Sequence, residues 1–335
     1  MKSVVKNKRP TLRDVAREAG VSYQTVSRVI NEQDNVSEAT RRRVTEIIKA
    51  LGYRPNRAAQ ILQTERSNTI EVVLFYYGFN MFIYEMARRA QQLGYHFVIS
   101  AITEAEFTST LESAASRFVD GLILVPNSVK AEDYETLMDL TNGIPFVQIG
   151  SRSGVNMPSV TYDQKQGARL AVQHLIELGH TRIAEISGPL TNHDAYDRHV
   201  SYEATLREHH LPVGPTAEGE FQIESGYRGM NQLLDSGADF SAVFIANDSM
   251  AIGAHSALRD RGLRVPDDIS IVGFDDVPEA AHFVPRLTTV RQDFQLLGGL
   301  AVEYLASLIE HPDTPLHQRV LQPKLIVRES TAPKR

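Results

Sequence analysis

Apolar residues recur in two rhythms along this chain. Near the start they fall three or four apart: Leu12, Val15, Ala16 and Ala19, then Val26, Val29 and Ile30, then Val44, Ile47 and Ile48. That spacing keeps apolar side chains on one side of an α-helix. Thr11, Ser22 and Ser37 precede these stretches, where a side-chain oxygen caps free backbone N–H groups. Gly20 ends the first stretch. Residues 12–19, 23–31 and 38–51 are therefore expected to be helices, with Ala39, Val44, Ile47 and Ile48 of the third facing inward. The first two, joined by a short turn containing Gly20, form a helix-turn-helix. From Ile70 onward the rhythm changes. Short apolar runs at 70–76, 96–101, 121–125, 145–149, 159–162, 182–186, 242–245 and 270–274 alternate with helical patterns at 81–93, 164–178, 225–234 and 248–261. Such alternation predicts parallel sheets covered by helices, and the strands are too many for one comfortable sheet. The expected fold is an α/β core of two doubly wound parallel-sheet lobes preceded by an all-α headpiece.

Charge divides the chain at the same place. Residues 1–66 carry 14 Lys and Arg against 7 Asp and Glu, a net of +7, whereas the whole chain of 335 residues carries −6 and the remainder therefore −13. A basic end on an acidic body fits a nucleic-acid-binding head on a core that does not bind nucleic acid, and equally a solvated basic tail. The pattern inside the head decides. At about 100° per residue, Tyr23, Gln24, Ser27 and Arg28 fall opposite the apolar side of the second helix. An amide pairs bidentately with adenine and a guanidinium with guanine in the major groove, so Tyr23, Gln24 and Arg28 are the candidate base readers. Thr25, Ser27 and Asn31 suit phosphate contacts. The hydroxyls of Thr11, Ser22, Ser37 and Thr40 join that phosphate set. The outward run Arg41–Arg43 is compatible with phosphate contact and with ordinary solvated charge. After Pro55, residues 57–62 span less than two helical turns, too few to be stable alone in water, so they are expected to order only against a partner.

These residues carry a resemblance. Leu12-Arg13-Asp14-Val15-Ala16, the run Ala19 to Val29, Asn31, Val36-Ser37, Thr40-Arg41, Gly52-Tyr53 and Pro55-Asn56-Arg57-Ala58-Ala59 resemble the headpiece of the lactose-repressor (LacI/GalR) family. The resemblance implies that Tyr23, Gln24 and Arg28 read bases. It implies a hinge helix that pairs with its dimer mate in the minor groove, with Asn56, Arg57, Ala59 and Leu62 in that contact and Leu62 as the wedge that bends the DNA. Arg13 and Asn35 depart from the pattern at expected phosphate contacts, which points to altered salt dependence more than altered sequence preference.

The core continues the resemblance through Leu178-Gly179-His180, Gly188-Pro189, Ser225-Gly226-Tyr227, Ala246-Asn247-Asp248, residues 264–270, residues 272–276 and Leu287-Thr288-Thr289-Val290. The related fold is that of periplasmic sugar-binding proteins, in which ligands bind beyond the carboxyl ends of the strands. Carried onto matching positions, the resemblance implies Arg198, Asn247 and Asp275 as polar effector contacts, with Phe221 and Tyr162 as aromatic ones. Asp, Asn and Arg satisfy sugar hydroxyls, and aromatic faces cover the C–H side. Plainer readings stand beside these: a turn or cap for Asp275-Asp276, a helix cap for Asn247-Asp248, a surface ion pair for Arg198. Gly150 stands where many members have Asp, so one usual sugar contact is missing. The segment Tyr76 to Phe82 is shorter and more aromatic than the family's loop and either shapes the ligand or only packs.

The expected units are a headpiece at 1–54, a hinge helix and linker at 55–66, and a two-lobed effector and dimerisation core at 67–335. Its N-terminal lobe takes in about 67–162 and 293–321, its C-terminal lobe about 163–292 and 322–330. The expected function is a ligand-responsive repressor binding double-stranded operator DNA as a homodimer, with a sugar as effector and a purine or other metabolite as the alternative class. With no heptad tail near Arg335, a dimer is expected rather than a tetramer. The basic leader lacks an apolar stretch, no run approaches membrane-spanning length, and Cys is absent, so a cytoplasmic protein without disulfides, membrane partner or cofactor is expected. No phosphate loop or nucleophile elbow is present, which weighs against an enzyme. Among the 11 His, His193 with His199 and His209-His210 lack metal-ligand spacing and are read as solvated or capping groups. A transport-type binding protein is disfavoured by the head.

Overall fold

The structure is a computed structural model that describes residues 10–30, 35–53, 66–75, 82–125, 134–150 and 157–334. The chain divides into two compact units, residues 1–67 and 68–335.

In the first unit, α1 (Leu12–Ala19), α2 (Tyr23–Ile30) and α3 (Glu38–Leu51) pack around Val15, Ala19, Val26, Val29, Val44 and Tyr53. Thr11 and Asp14 cap each other reciprocally at the start of α1, and Gly20 closes it with a left-handed φ of 61°. One expectation fails here: Ala39 is exposed, not inward. It lies five residues before Val44, about 140° around the helix from the buried side. Arg41, three residues before Val44, takes the flank of that side and is half-buried.

The second unit holds two six-stranded sheets among the described residues. The first contains β1 (Thr69–Phe75), β2 (His96–Ile102), β3 (Gly121–Val125), β4 (Phe146–Ile149), β5 (Ser159–Tyr162) and β11 (Gln318–Leu321), in the order β11-β5-β4-β3-β1-β2 and parallel throughout. The second contains β6 (Ile183–Ser187), β7 (Thr216–Glu218), β8 (Ala242–Ile245), β9 (Ser270–Asp275), β10 (Thr288–Arg291) and β12 (Lys324–Ile326), in the order β12-β10-β9-β8-β6-β7. Only the edge strand β12 runs antiparallel. The central strands of both sheets are buried on both faces, which is why they read as unbroken apolar runs.

Helices α4 (Ile83–Gln92), α5 (Phe107–Glu112) and α6 (Tyr134–Leu140) belong to the first lobe, and α7 (Gln164–Glu177), α8 (His193–Glu208), α9 (Ile223–Asp235) and α10 (Asp248–Asp260) to the second. The last, α11 (Phe294–Glu310), returns to the first lobe and buries Leu297, Ala301, Val302, Leu305 and Ile309 in its core. The chain thus passes between lobes at 162–164, 291–294 and 321–324.

Candidate functional site

On the first unit, α2 presents Tyr23, Gln24 and Arg28 to solvent while Val26 and Val29 are buried; Tyr23 is 53% exposed, an aromatic ring held in water. The capping hydroxyls come in pairs. Ser22 Oγ accepts from Thr25 N at 3.1 Å and lies 2.8 Å from the Thr25 hydroxyl, and Ser37 Oγ repeats this with Thr40 at 3.4 and 2.9 Å. Two helix N-termini therefore each offer a hydroxyl pair beside free backbone N–H groups, an arrangement that suits a phosphate. Ser27 is half-buried on α2. Asn31 and the hinge residues Asn56, Arg57, Ala59 and Leu62 lie outside the described residues.

On the second unit, a cavity of about 290 Å³ opens between the lobes, at the carboxyl ends of the strands. All five expected effector residues, Tyr162, Arg198, Phe221, Asn247 and Asp275, line it. Residues far apart in sequence join them: Gln164, Asn192, His193, Asp194, Ser249 and Gln292 on the polar side, Leu74, Phe75, Phe82, Val125, Ile149, Val277, Phe294 and Leu297 on the apolar side. Of the aromatic segment 76–82, only Phe82 is among the described residues, and it is buried against Phe294.

Arg198 is only 2% exposed, so the reading of a surface ion pair is wrong. Its position on the buried side of α8 carries it inward, with the guanidinium 3.8 Å over the Phe274 ring. It heads a closed ring of side chains. Arg198 Nε donates to Gln164 Oε1 at 2.9 Å, Gln164 Nε2 donates to Gln292 Oε1 at 3.0 Å, Gln292 Nε2 donates to Asp275 Oδ1 at 2.8 Å, and that same oxygen lies 3.8 Å from Arg198 Nη2. Arg198 Nη1 also donates to the Ala246 carbonyl at 2.5 Å. Gln164 and Gln292 sit at two of the three passages between lobes, so the ring ties the cavity to the crossovers. Burial raises the Asp275 carboxyl to a pKa of about 6 despite Arg198 and Gln292. Asp275 holds this place with a φ of 108° at the end of β9.

Asn247 is a helix cap, its Oδ1 accepting from Met250 N at 2.9 Å, and it lines the cavity as well, with its amide donating to the Phe221 carbonyl at 3.1 Å. Phe221 reaches in over Gly188, where a Cβ would stand 2.5 Å from the ring. The Tyr162 hydroxyl accepts from Asp293 N at 2.8 Å and donates to its carbonyl at 3.2 Å, fixing the ring at a passage between lobes. Asp276 turns away from the cavity to Arg291 at 2.5 Å and Arg328 at 2.6 Å. Asp248 is fully buried, accepts from the Thr289 hydroxyl at 2.6 Å and Val277 N at 2.9 Å, and is pushed well up in pKa by burial and then by Asp275.

The reading of solvated or capping His fails at His199. His199 Nδ1 lies 2.6 Å from a carboxylate oxygen of the fully buried Glu185, whose hydrogen bond raises the His199 pKa, and His193 lines the cavity. Among the described residues no group of three His, Asp or Glu side chains is placed to hold a metal, and no helix is long and apolar enough to cross a membrane.

Residues 11–56 match the family of bacterial regulatory proteins, lacI family, and residues 172–331 match the periplasmic binding protein-like domain. Among curated proteins, the chain is 34% identical to the lactose operon repressor of Escherichia coli over 96% of its length and 90% of that protein's. It is 37% identical to the transcriptional regulator CelR of Thermobifida fusca, covering 97% and 99% of the two chains. Among solved structures, it superimposes on a lac repressor dimer bound to operator and the anti-inducer ONPF with a TM-score of 0.89 at 33% identity, covering 97% of this chain and 100% of that one. A CelR–cellobiose complex gives a TM-score of 0.72 at 34% identity, covering 96% and 100%.

Proposed function

The chain belongs to the lacI family of bacterial regulatory proteins, transcription regulators and not enzymes, and from that premise we propose a homodimeric cytoplasmic repressor whose hold on a near-palindromic operator is set by a carbohydrate bound between its core lobes. The observation that carries the reading is the closed ring Arg198–Gln164–Gln292–Asp275. It joins groups proposed to bind the effector to two of the crossovers between the lobes in one hydrogen-bonded unit.

In the proposed headpiece, residues 1–54, Tyr23, Gln24 and Arg28 read base edges in the major groove. Thr11, Ser22, Thr25, Ser27, Asn31, Ser37 and Thr40 hold phosphates and fix the register. Two headpieces in a dimer match two half-sites. In the proposed hinge, residues 55–66, Asn56, Arg57, Ala59 and Leu62 form a helix that persists only when paired in the minor groove, with Leu62 wedged into the central base step.

The effector acts through a difference in affinity between lobe arrangements. Arg198, Asn247, Asp275, Phe221 and Tyr162 hold it in the core, residues 67–335. Closure of the lobes about the passages at 162–164, 291–294 and 321–324 changes the spacing of the two hinge segments in the dimer and so the cost of forming the hinge helix. Two features favour a sugar: carboxylates and amides on one side of the cavity, and aromatic and aliphatic groups on the other.

Leu62→Ala tests the DNA half of the mechanism. Operator affinity falls by two orders of magnitude or more while sugar affinity, read by calorimetry, stays within a factor of about two; unchanged operator affinity excludes the wedge.

A further inference from the structure

Gly150 ends the strand β4 with a φ of +73°, a conformation that glycine adopts at no steric cost. The resemblance places an Asp there in many members, so the cavity is expected to be one carboxylate short. The fold supplies one from the other side. A Cβ built on Gly150 would lie 3.7 and 3.8 Å from the two carboxylate oxygens of Asp194. Asp194 belongs to the first turn of α8, in the second lobe, where the helix N-terminus favours an anion.

Asp194 differs from the other polar groups of the cavity in how its atoms are used. Arg198 donates to Gln164 and the Ala246 carbonyl, Asn247 accepts from Met250 N and donates to the Phe221 carbonyl, and one oxygen of Asp275 accepts from Gln292. Among the described residues no hydrogen bond reaches the Asp194 carboxylate, whose pKa is raised by burial, with Arg198 partly offsetting this. Half-buried at the cavity wall, this carboxylate keeps its lone pairs open to water or to the hydroxyls of a ligand. The unspent acceptor faces the ligand space and is aimed at the gap that Gly150 leaves.

We propose that Asp194 is the specificity-determining contact for the effector, accepting from two adjacent hydroxyls of a neutral sugar. It does from the second lobe what a carboxylate at position 150 would do from the first. This rests on the reading of the cleft as a sugar site. It also predicts how the sugar lies. Both cavity carboxylates, Asp194 and Asp275, now stand on one lobe, and Leu74, Phe75, Val125, Ile149 and Leu297 of the other lobe face them. The hydroxyl edge of the sugar therefore meets the second lobe and its C–H face meets the first. A cationic ligand fits less well, because the Arg198 guanidinium lies near enough to interact with the Asp194 charge and would repel a second cation.

The test uses the full-length protein and calorimetry with glucose, galactose, ribose, lactose and cellobiose, followed by the deoxy analogues of whichever binds most tightly. Asp194→Ala is expected to weaken that sugar by about 10- to 100-fold, in line with lost hydrogen bonds to a charged acceptor. The thermal midpoint of the sugar-free protein is expected to stay close to the wild-type value, since no hydrogen bond of the carboxylate is lost; a merely structural residue would lower it. Deoxy analogues at one adjacent pair of positions are expected to lose affinity with the wild-type protein and nothing further with Asp194→Ala. Asp194→Asn, which keeps the shape and one acceptor, is expected to fall between.

A loss below about threefold, or deoxy penalties equal in wild type and variant, overturns the inference. Binding confined to cationic amines overturns it too. The parallel variant Arg198→Lys distinguishes a misassigned Asp194 from a misassigned cleft. If it abolishes sugar binding while Asp194→Ala does not, only Asp194 is misassigned. If neither variant changes sugar binding, or no sugar binds, the cleft is not the sugar site.

Discussion

The Arg198 guanidinium stacks on the Phe274 ring, 3.8 Å from its centre. The ring is pressed from behind by α7, where a Cβ on Gly167 would stand 2.5 Å from it. Helix, ring and guanidinium form three layers, and the third can only lie flat, with its edges toward Gln164, Ala246 and Asp275. Lysine keeps the charge but neither the plane nor the fork. Arg198→Lys is expected to cost on the order of 2–3 kcal/mol of stability in urea unfolding, from a desolvated cation–π contact and a charge-assisted hydrogen bond. Sugar affinity should fall at least tenfold. Retention of both would show that the layering does not hold the site.

Asp275 is expected to leave a pH signature. Its folded-state pKa, about 6, lies above its ordinary 3.8, so the folded protein binds the proton more tightly than the unfolded chain. The stability this contributes is complete below about pH 4 and is lost as pH rises through 6, on the order of 3 kcal/mol in all. Asp275→Asn, which tolerates the positive φ, removes it. The difference in stability between wild type and variant should therefore fall across pH 4–6. A difference independent of pH contradicts the buried, proton-binding state.

Base reading and phosphate holding separate by substitution. Arg28→Ala or Gln24→Ala is expected to lower the preference for operator over scrambled duplex by about 1–3 kcal/mol, roughly 5- to 150-fold. Thr25→Val should weaken both duplexes alike, because its hydroxyl pairs with Ser22 at a helix start and reads no base. Anisotropy titrations at one salt concentration check both. Equal losses on the two duplexes for Arg28→Ala would make Arg28 a phosphate contact.

The crossing of α9 and α10 depends on two glycines. A Cβ on Gly226 would meet the Met250 carbonyl at 2.1 Å, and one on Gly253 the Ile223 carbonyl at 1.9 Å. Both obstacles are backbone, so the helices must separate. Gly226→Ala and Gly253→Ala are each expected to destabilise the core by roughly 1–3 kcal/mol or more, read from the urea midpoint. Because the helices share one interface, the double variant should cost less than the sum.

Local information in the sequence was enough for the headpiece. Thr11, Gly20, Val26 and Val29 act within one or two turns, and capping and periodicity are properties of such short windows. The buried central strands were legible as apolar runs for the same reason. Edge strands were not: Gln318–Leu321 and Lys324–Ile326 are only half-buried, and Thr216–Glu218 spans three residues. Helix α8 hid because polar side chains, Arg198, Ser201 and Thr205, occupy its buried side. The site was half legible. Family pattern marked Arg198, Asn247 and Asp275, but Gln164 meets Gln292 across 128 residues of chain, and Asp194 gains its place only when the fold sets it against Gly150. No spacing in the sequence encodes either meeting.

The most direct test is fluorescence anisotropy of the full-length protein on a lac-type palindromic operator duplex and on a scrambled one, at fixed salt, with and without a panel of sugars and nucleobases. The expected result is a strong preference for the palindrome that one sugar shifts, with that shift lost in Arg198→Lys. Equal, salt-sensitive binding to both duplexes that no ligand alters would contradict sequence-specific regulation through the cleft.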